Sequence, residues 1–207
     1  MTCIVALTDG KTVWIGGDAA GVNATDMTIS VRADQKVSVH DENGVSWGFG
    51  FTTSYRMGQI IRYHLTLPPI TKKDKEDLFG YMVSKFIPEL RDVLTRGGVA
   101  MSTNGVETCG EFIVGLMGKI FTVDTDFQIA SPIDNFCAVG AGAPFALGAL
   151  KVLEKIRESG HIDPEGQVRE ALTASECFSA AVRQPFTIIT IPHSNKVTPT
   201  KGSAKKT

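Results

Sequence analysis

Residues 2–18, TCIVALTDGKTVWIGGD, read as two short β-strands folded back on one another. Thr2 to Thr8 is rich in β-formers, Asp9-Gly10-Lys11 carries turn chemistry, and Thr12 to Gly17 returns as the partner strand. The first residue of this stretch also has chemistry of its own. Once the initiator Met1 is clipped, the free α-amino group of Thr2 lies beside its hydroxyl and can act as its base. An α-amine titrates near roughly 8, so an unprotonated fraction exists at neutral pH.

Outward from the hairpin, Ala19 to Ser30 reads as a polar loop, and Lys36 to His40 and Val45 to Phe51 as a second hairpin about Glu42-Asn43-Gly44. The period then changes. Met57, Ile60, Ile61 and His64 or Leu65 recur at helical spacing until Pro68-Pro69, and Leu78, Met82, Phe86, Leu90 and Leu94 mark a longer helix over Asp74 to Leu94, interrupted or kinked at Pro88. Thr95 to Thr108 reads as a loop. Glu111 to Leu116 and Ile120 to Asp124 form a third hairpin, followed by short strands at Phe127 to Ala130 and Phe136 to Val139. Pro144 opens a helix whose stripe is Leu147, Leu150, Leu153 and Ile156, and Asp163-Pro164-Glu165 caps another bearing Val168, Leu172 and Phe178. Phe186 to Ile191 is a last strand. Strands and helices thus come in segregated blocks, and the hairpin links are too short for parallel crossovers. The fold class expected is α+β: a four-layer αββα sandwich, two antiparallel sheets face to face with a helix pair outside each.

The 207 residues, 43% hydrophobic and 21% charged, suit one domain over residues 1–192, with a polar, lysine-rich and disordered tail at 193–207. A net charge of -1 gives no electrostatic reason to expect nucleic acid or an anionic membrane as partner. No apolar run approaches the roughly 20 residues of a membrane span, and no signal-like segment is seen, so a soluble, cytoplasmic protein is expected. Cys3, Cys109, Cys137 and Cys177 are widely spaced and read as reduced thiols. The four histidines, His40, His64, His161 and His193, form no pattern for a triad or metal, and neither metal nor cofactor is expected.

The opening run, followed by RADQK at 32–36, resembles the start of the proteasome β-subunits and their bacterial relative HslV, the N-terminal-nucleophile (Ntn) hydrolases. The likeness continues through WGFGFTTSYRMGQIIR at 47–62 and AVGAGAPFALGAL at 138–150. The resemblance implies the Ntn-hydrolase fold, with Thr2 as nucleophile, Lys36 depressing the pKa of its hydroxyl or helping the proton shuttle, and Asp18 holding that lysine charged and oriented. It implies an oxyanion donor from the backbone near Gly50-Phe51. Three positions depart from the pattern: Phe51 stands where glycine is usual, Ala141 in Gly140-Ala141-Gly142 lacks a serine hydroxyl, and Ser179 falls where an aspartate is usual. The function implied is a threonine endopeptidase cutting unfolded polypeptide inside a homo-oligomer of one or more rings, fed by an ATP-dependent unfoldase.

Each residue also has a plainer reading. Small residues after Met1 merely permit its removal, Asp18 after two glycines can simply end a strand, and Lys36 can be a solvated strand residue. Their joint order favours the catalytic reading. Cys3 as a thiol nucleophile would need Thr2 removed, and strand alternation points it to the opposite face. A catalytically silent scaffold with the same sandwich remains the alternative, and an Ntn amidase acting on a small amide a weaker one.

Overall fold

The computed structural model describes residues 2–23, 25–26 and 28–193. The first hairpin is β1 (Ile4–Thr8) and β2 (Thr12–Gly17), paired from Ile4↔Gly17 to Thr8↔Val13. Asp9 shapes its turn by accepting the N–H groups of Lys11 and Thr12 on Oδ1. The segment 19–30, expected as loop, instead begins a small two-stranded sheet of β3 (Ala20–Val22) and β4 (Ile29–Val31). Strands this short, with β4 fully exposed, leave little hydrophobic periodicity to read.

The second hairpin is β5 (Val37–Glu42) and β6 (Val45–Phe51), turned at Asn43 and Gly44, both at positive φ. Ser54 caps α1 (Tyr55–His64), which ends before Pro68-Pro69 rather than at it. The long helix expected over 74–94 is broken into α2 (Lys72–Glu76), α3 (Leu78–Tyr81), a π-helical turn (Met82–Phe86) and α4 (Ile87–Arg96). Pro88 has no N–H and its ring crowds the carbonyl four residues back, so the widened turn falls where the α-ladder cannot run on.

Residues 101–108, within the second expected loop, pair as β7 (Met101–Thr103) and β8 (Val106–Thr108) about Asn104-Gly105, both at positive φ. That dipeptide is itself a hairpin signal. There follow β9 (Phe112–Leu116), β10 (Lys119–Val123), β11 (Ile129–Ala130) and β12 (Phe136–Val139). β11 is shorter than expected because Phe127 sits in a turn at φ 67. The chain closes with α5 (Ala143–Glu158), α6 (Pro164–Phe178) and β13 (Thr187–Pro192). The polar tail expected from residue 193 lies, apart from His193, outside the described residues.

One sheet runs β12-β1-β2-β13 and the other β11-β10-β9-β6-β5, antiparallel throughout. Alternation along β1 shows how they stack. Ile4 and Ala6 face the other sheet with Val13, Ile15, Val37 and Ile113, while Cys3, Val5 and Leu7 face Leu150, Val168 and Leu172 of α5 and α6. The sheets meet closely because β6 is glycine-rich: a Cβ at Gly48 would lie 2.4 Å from Ile191, and one at Gly50 2.5 Å from Ile4. On the far side Trp47, Phe49 and Phe112 pack against α1, α3 and α4, with Trp47 stacked 5.4 Å from Phe86. The αββα sandwich is therefore present. The stripe expected on α5 is rotated: Ala146 and Leu150 are buried, while Leu147 and Ile156 are each 39% exposed.

Phe86 is wholly buried in this larger core. Phe86→Ala should cost about 3–5 kcal/mol of unfolding free energy in urea titration, against well under 1 kcal/mol for exposed Val83→Ala.

Candidate active site

Four chain segments end at one place. Thr2 leads into β1, Asp18 follows β2, Lys36 precedes β5, and Phe51 ends β6. Gly17, just before Asp18, keeps this junction tight: a Cβ there would lie 2.9 Å from Ile4 and 3.1 Å from Val37.

Asp18 is the centre. Its Oδ1 accepts a hydrogen bond from Lys36 Nζ at 2.8 Å and from the Cys3 N–H at 3.0 Å. Its Oδ2 accepts from the N–H groups of Ala20 at 2.8 Å and Arg183 at 3.3 Å. Asp18 is 3% exposed and Lys36 2%, which rules out the solvated-strand reading of that lysine. Burial pushes the Lys36 ammonium below its ordinary pKa, opposed by the charge and hydrogen bond of Asp18. Lys36 Nζ also lies 5.7 Å from the Tyr55 ring centroid.

Thr2 is 4% exposed and lines a cleft of about 300 Å³ with Ala20, Gly21, Phe51, Thr52, Thr53 and Tyr55 among others. Its carbonyl accepts the Gly142 N–H at 3.1 Å. Gly140 has φ 94, and a Cβ there would come within 2.4 Å of the Thr2 carbonyl oxygen, so the turn at 140–142 needs glycine where the N-terminal segment passes. Arg32, at the cleft wall, stacks 3.8 Å over the Tyr55 ring and forms a two-pronged ion pair with Asp34 at 2.8 and 2.7 Å.

The structure thus gathers Thr2, Asp18, Lys36 and Phe51. Gly50 is placed elsewhere, in the ladder opposite Val37 and Ile113 with its Cα against the inter-sheet core. The Phe51 N–H donates to the Lys36 carbonyl and the Thr52 N–H to that of Glu111, both at 3.0 Å. The backbone donors of Phe51 and Thr52 are therefore engaged with neighbouring strand segments. The next residue differs: Thr53 borders the cleft at φ 66, at the centre of a tight turn closed by Ser54 N–H to Thr52 O at 2.7 Å. A β-branched residue at positive φ is strained by about 1–3 kcal/mol. Among the described residues its N–H donates to no backbone carbonyl.

Ala141 is exposed, and support for Thr2 from this turn is the backbone of Gly142. Ser179 ends α6, where its Oγ accepts the Ala181 N–H at 3.3 Å, and it is not among the residues lining the cleft. Ser175, one helical turn earlier and wholly buried, fills the inner position: its Oγ lies 3.4 Å from Cys3 Sγ, 3.0 Å from the Gly142 carbonyl and 3.0 Å from that of Ala171. The signal was periodic, since Ser175 continues the buried face of Val168, Ala171 and Leu172. Burial pushes the Cys3 thiol up to about 12, which holds it as an inert neutral thiol.

No family model matches the chain, and no curated protein matches it in sequence. Solved structures do match in fold. Thiobacillus denitrificans BPH, a protein also solved in complex with epoxomicin, aligns at TM-score 0.63 and 16% identity over 94% of this chain and 100% of its own. HslV from Trypanosoma brucei aligns at TM-score 0.62 and 17% identity over 92% and 99%. Anbu from Pseudomonas aeruginosa, solved as a helical assembly, aligns at TM-score 0.61 and 13% identity over 92% and 81%. The fold is accordingly the Ntn-hydrolase fold that these proteins share.

The hydrogen bonds of Asp18 set an order of sensitivity. Asp18→Asn leaves Lys36 buried without its counter-charge and should cost about 3–5 kcal/mol. Lys36→Met leaves the carboxylate with three N–H donors and should cost less, and the double variant should cost less than the two single changes combined. Urea titration of the four proteins reads this cycle, and a Lys36→Met protein less stable than Asp18→Asn would contradict it.

Proposed function

We propose that this protein is a divergent member of the proteasome β-subunit and HslV family: a threonine peptidase whose nucleophile is Thr2 after removal of Met1. The observation that carries this reading is the buried Lys36–Asp18 pair, tied through its hydrogen bond from the Cys3 N–H to the residue next to Thr2, which lines a cleft. The epoxomicin complex of Thiobacillus denitrificans BPH supports it, since epoxomicin is a protease inhibitor held by a protein of the same fold.

In this mechanism the freed α-amine accepts the proton of Thr2 Oγ as the oxygen attacks a peptide carbonyl, and returns it to the leaving amine. Lys36, kept cationic by Asp18, stabilises the alkoxide-like oxygen. The Thr53 N–H, one residue past the sheet-bound donors, takes the oxyanion. Water then hydrolyses the acyl-enzyme by the reverse proton path. The substrate is unfolded polypeptide, and the setting is a homo-oligomeric ring fed by an ATP-dependent unfoldase. The helical assembly of Anbu supports self-association as a property of the fold. One observation favours a second reading, a silent scaffold: the turn at 140–142 supports Thr2 through backbone alone.

Intact-mass spectrometry with a peptidyl epoxyketone separates the two. The peptidase requires a mature mass without Met1 and a single adduct lost in Thr2→Ala; retained Met1, or an adduct that survives the substitution, refutes the assigned nucleophile. The pH profile of kcat provides a second check. Activity should rise as the α-amine deprotonates near roughly 8. It should fall as Lys36 loses its proton, and because burial lowers that pKa the falling limb belongs below the ordinary lysine value of 10.5.

A further inference from the structure

Phe51 occupies a position where two chambers share a wall. One is the Thr2 cleft; the other, of about 90 Å³, lies behind it and is lined by Gln35, Gln59 and Arg62. Phe51 and Tyr55 border both, their rings edge to face at 5.6 Å between centroids. The Phe51 ring is wedged against α1 at a site shaped for it: a Cβ at Gly58 would fall 2.1–2.4 Å from three of its carbons. An aromatic side chain at 51 and its absence at 58 therefore belong together.

Geometry then fixes what the ring meets. A carbonyl carbon poised for attack lies about 3–3.5 Å from the Thr2 oxygen. The side chain on the acyl residue enters the same cleft, one wall of which is the Phe51–Tyr55 partition. Among the described residues that line the cleft, Arg32 is the one with a charged side chain, and it is already committed to Asp34 and the Tyr55 face, so none of these side chains offers an unpaired charge to an ionic substrate side chain.

Resting on the peptidase reading, we propose that Phe51, braced by Gly58, is the specificity-determining residue of this site. It limits cleavage to peptide bonds that follow small, uncharged residues. Removing the ring joins the cleft to the rear chamber and admits long side chains such as glutamine and methionine.

The test is a set of fluorogenic peptide amides that differ only in the residue before the fluorophore: alanine, valine, methionine, glutamine and phenylalanine. Wild-type protein should cleave the alanine peptide with kcat/KM at least about tenfold above the glutamine and phenylalanine peptides, the scale on which a pocket rejects excess bulk. Phe51→Ala should erase or invert that ratio, and Phe51→Leu, which keeps apolar packing on α1, should move it part of the way. Gly58→Ala pushes the ring toward the cleft and should act in the opposite sense, slowing the valine peptide more than the alanine one. Matched alanine- and glutamine-bearing peptidyl epoxyketones, read by intact mass, give the same comparison from a single labelling event.

A ratio unchanged between wild type and both Phe51 variants, in cleavage and labelling, overturns the partition. So does a wild-type preference for the glutamine or phenylalanine peptide. A different result, no cleavage and no adduct with any peptide in any variant, removes the peptidase reading on which the partition rests.

Discussion

The carboxylate of Asp18 is the constraint on which the rest of the site depends. Taking a carboxylate and an ammonium out of water costs several kcal/mol per ion, and their attraction repays this only where the remaining hydrogen-bonding capacity is filled. Here it is filled: Lys36 and three backbone N–H groups surround the two oxygens. Those donors come from the N-terminal strand, the β2–β3 junction, the start of β5 and the segment leading into β13. One carboxylate thereby joins both sheets at the end where the cleft opens. The charge is retained where an apolar pair would pack more cheaply, and the proposed chemistry supplies a reason for it.

Close approach is the second requirement, met by absent side chains. Gly48 and Gly50 let the sheets meet, Gly17 lets the end of β2 pass beside β5, and Gly140 and Gly142 let the turn before α5 reach the N-terminal segment. Gly58 belongs to the same set, but what it admits is a ring rather than a backbone. The positive φ of Thr53 has no such steric excuse and marks the place where the chain leaves the sheet at the cleft.

Much of this was legible in the sequence because the signals were local and periodic. The three main hairpins announce themselves through turn residues between β-rich runs, and α1, α5 and α6 through caps and apolar spacing. The order Thr2, Asp18, Lys36 pointed to the junction through its resemblance to the start of the Ntn hydrolases. Elements of three residues, such as β3 and β4, carry too few positions for a pattern. The π-helical turn arises from a proline acting at a distance of several residues, which a 3.6 period hides. The buried serine beside Cys3 escaped the sequence reading for a different reason: a helix end such as Ser179 fixes no rotation, whereas the buried face running through Val168 and Leu172 selects Ser175. The pairing of Phe51 with Gly58 is a contact between a strand end and a helix face, and neither residue signals it alone.

The peptide group between Thr2 and Cys3 is bonded on both edges, its oxygen to the Gly142 N–H and its nitrogen, through hydrogen, to Asp18. A plane held at two opposite points cannot rotate about its own long axis, so the position of the Thr2 Cα relative to the ion pair is set by the sandwich rather than by a flexible terminus. What remains to aim the hydroxyl is a pair of torsions, ψ of Thr2, which swings the Cβ, and χ1. In threonine χ1 is restricted by the branched Cβ, whereas serine would leave it freer. The extra methyl group thus acts as a stop on a rotor, converting the rigidity of two sheets into the direction of a single oxygen.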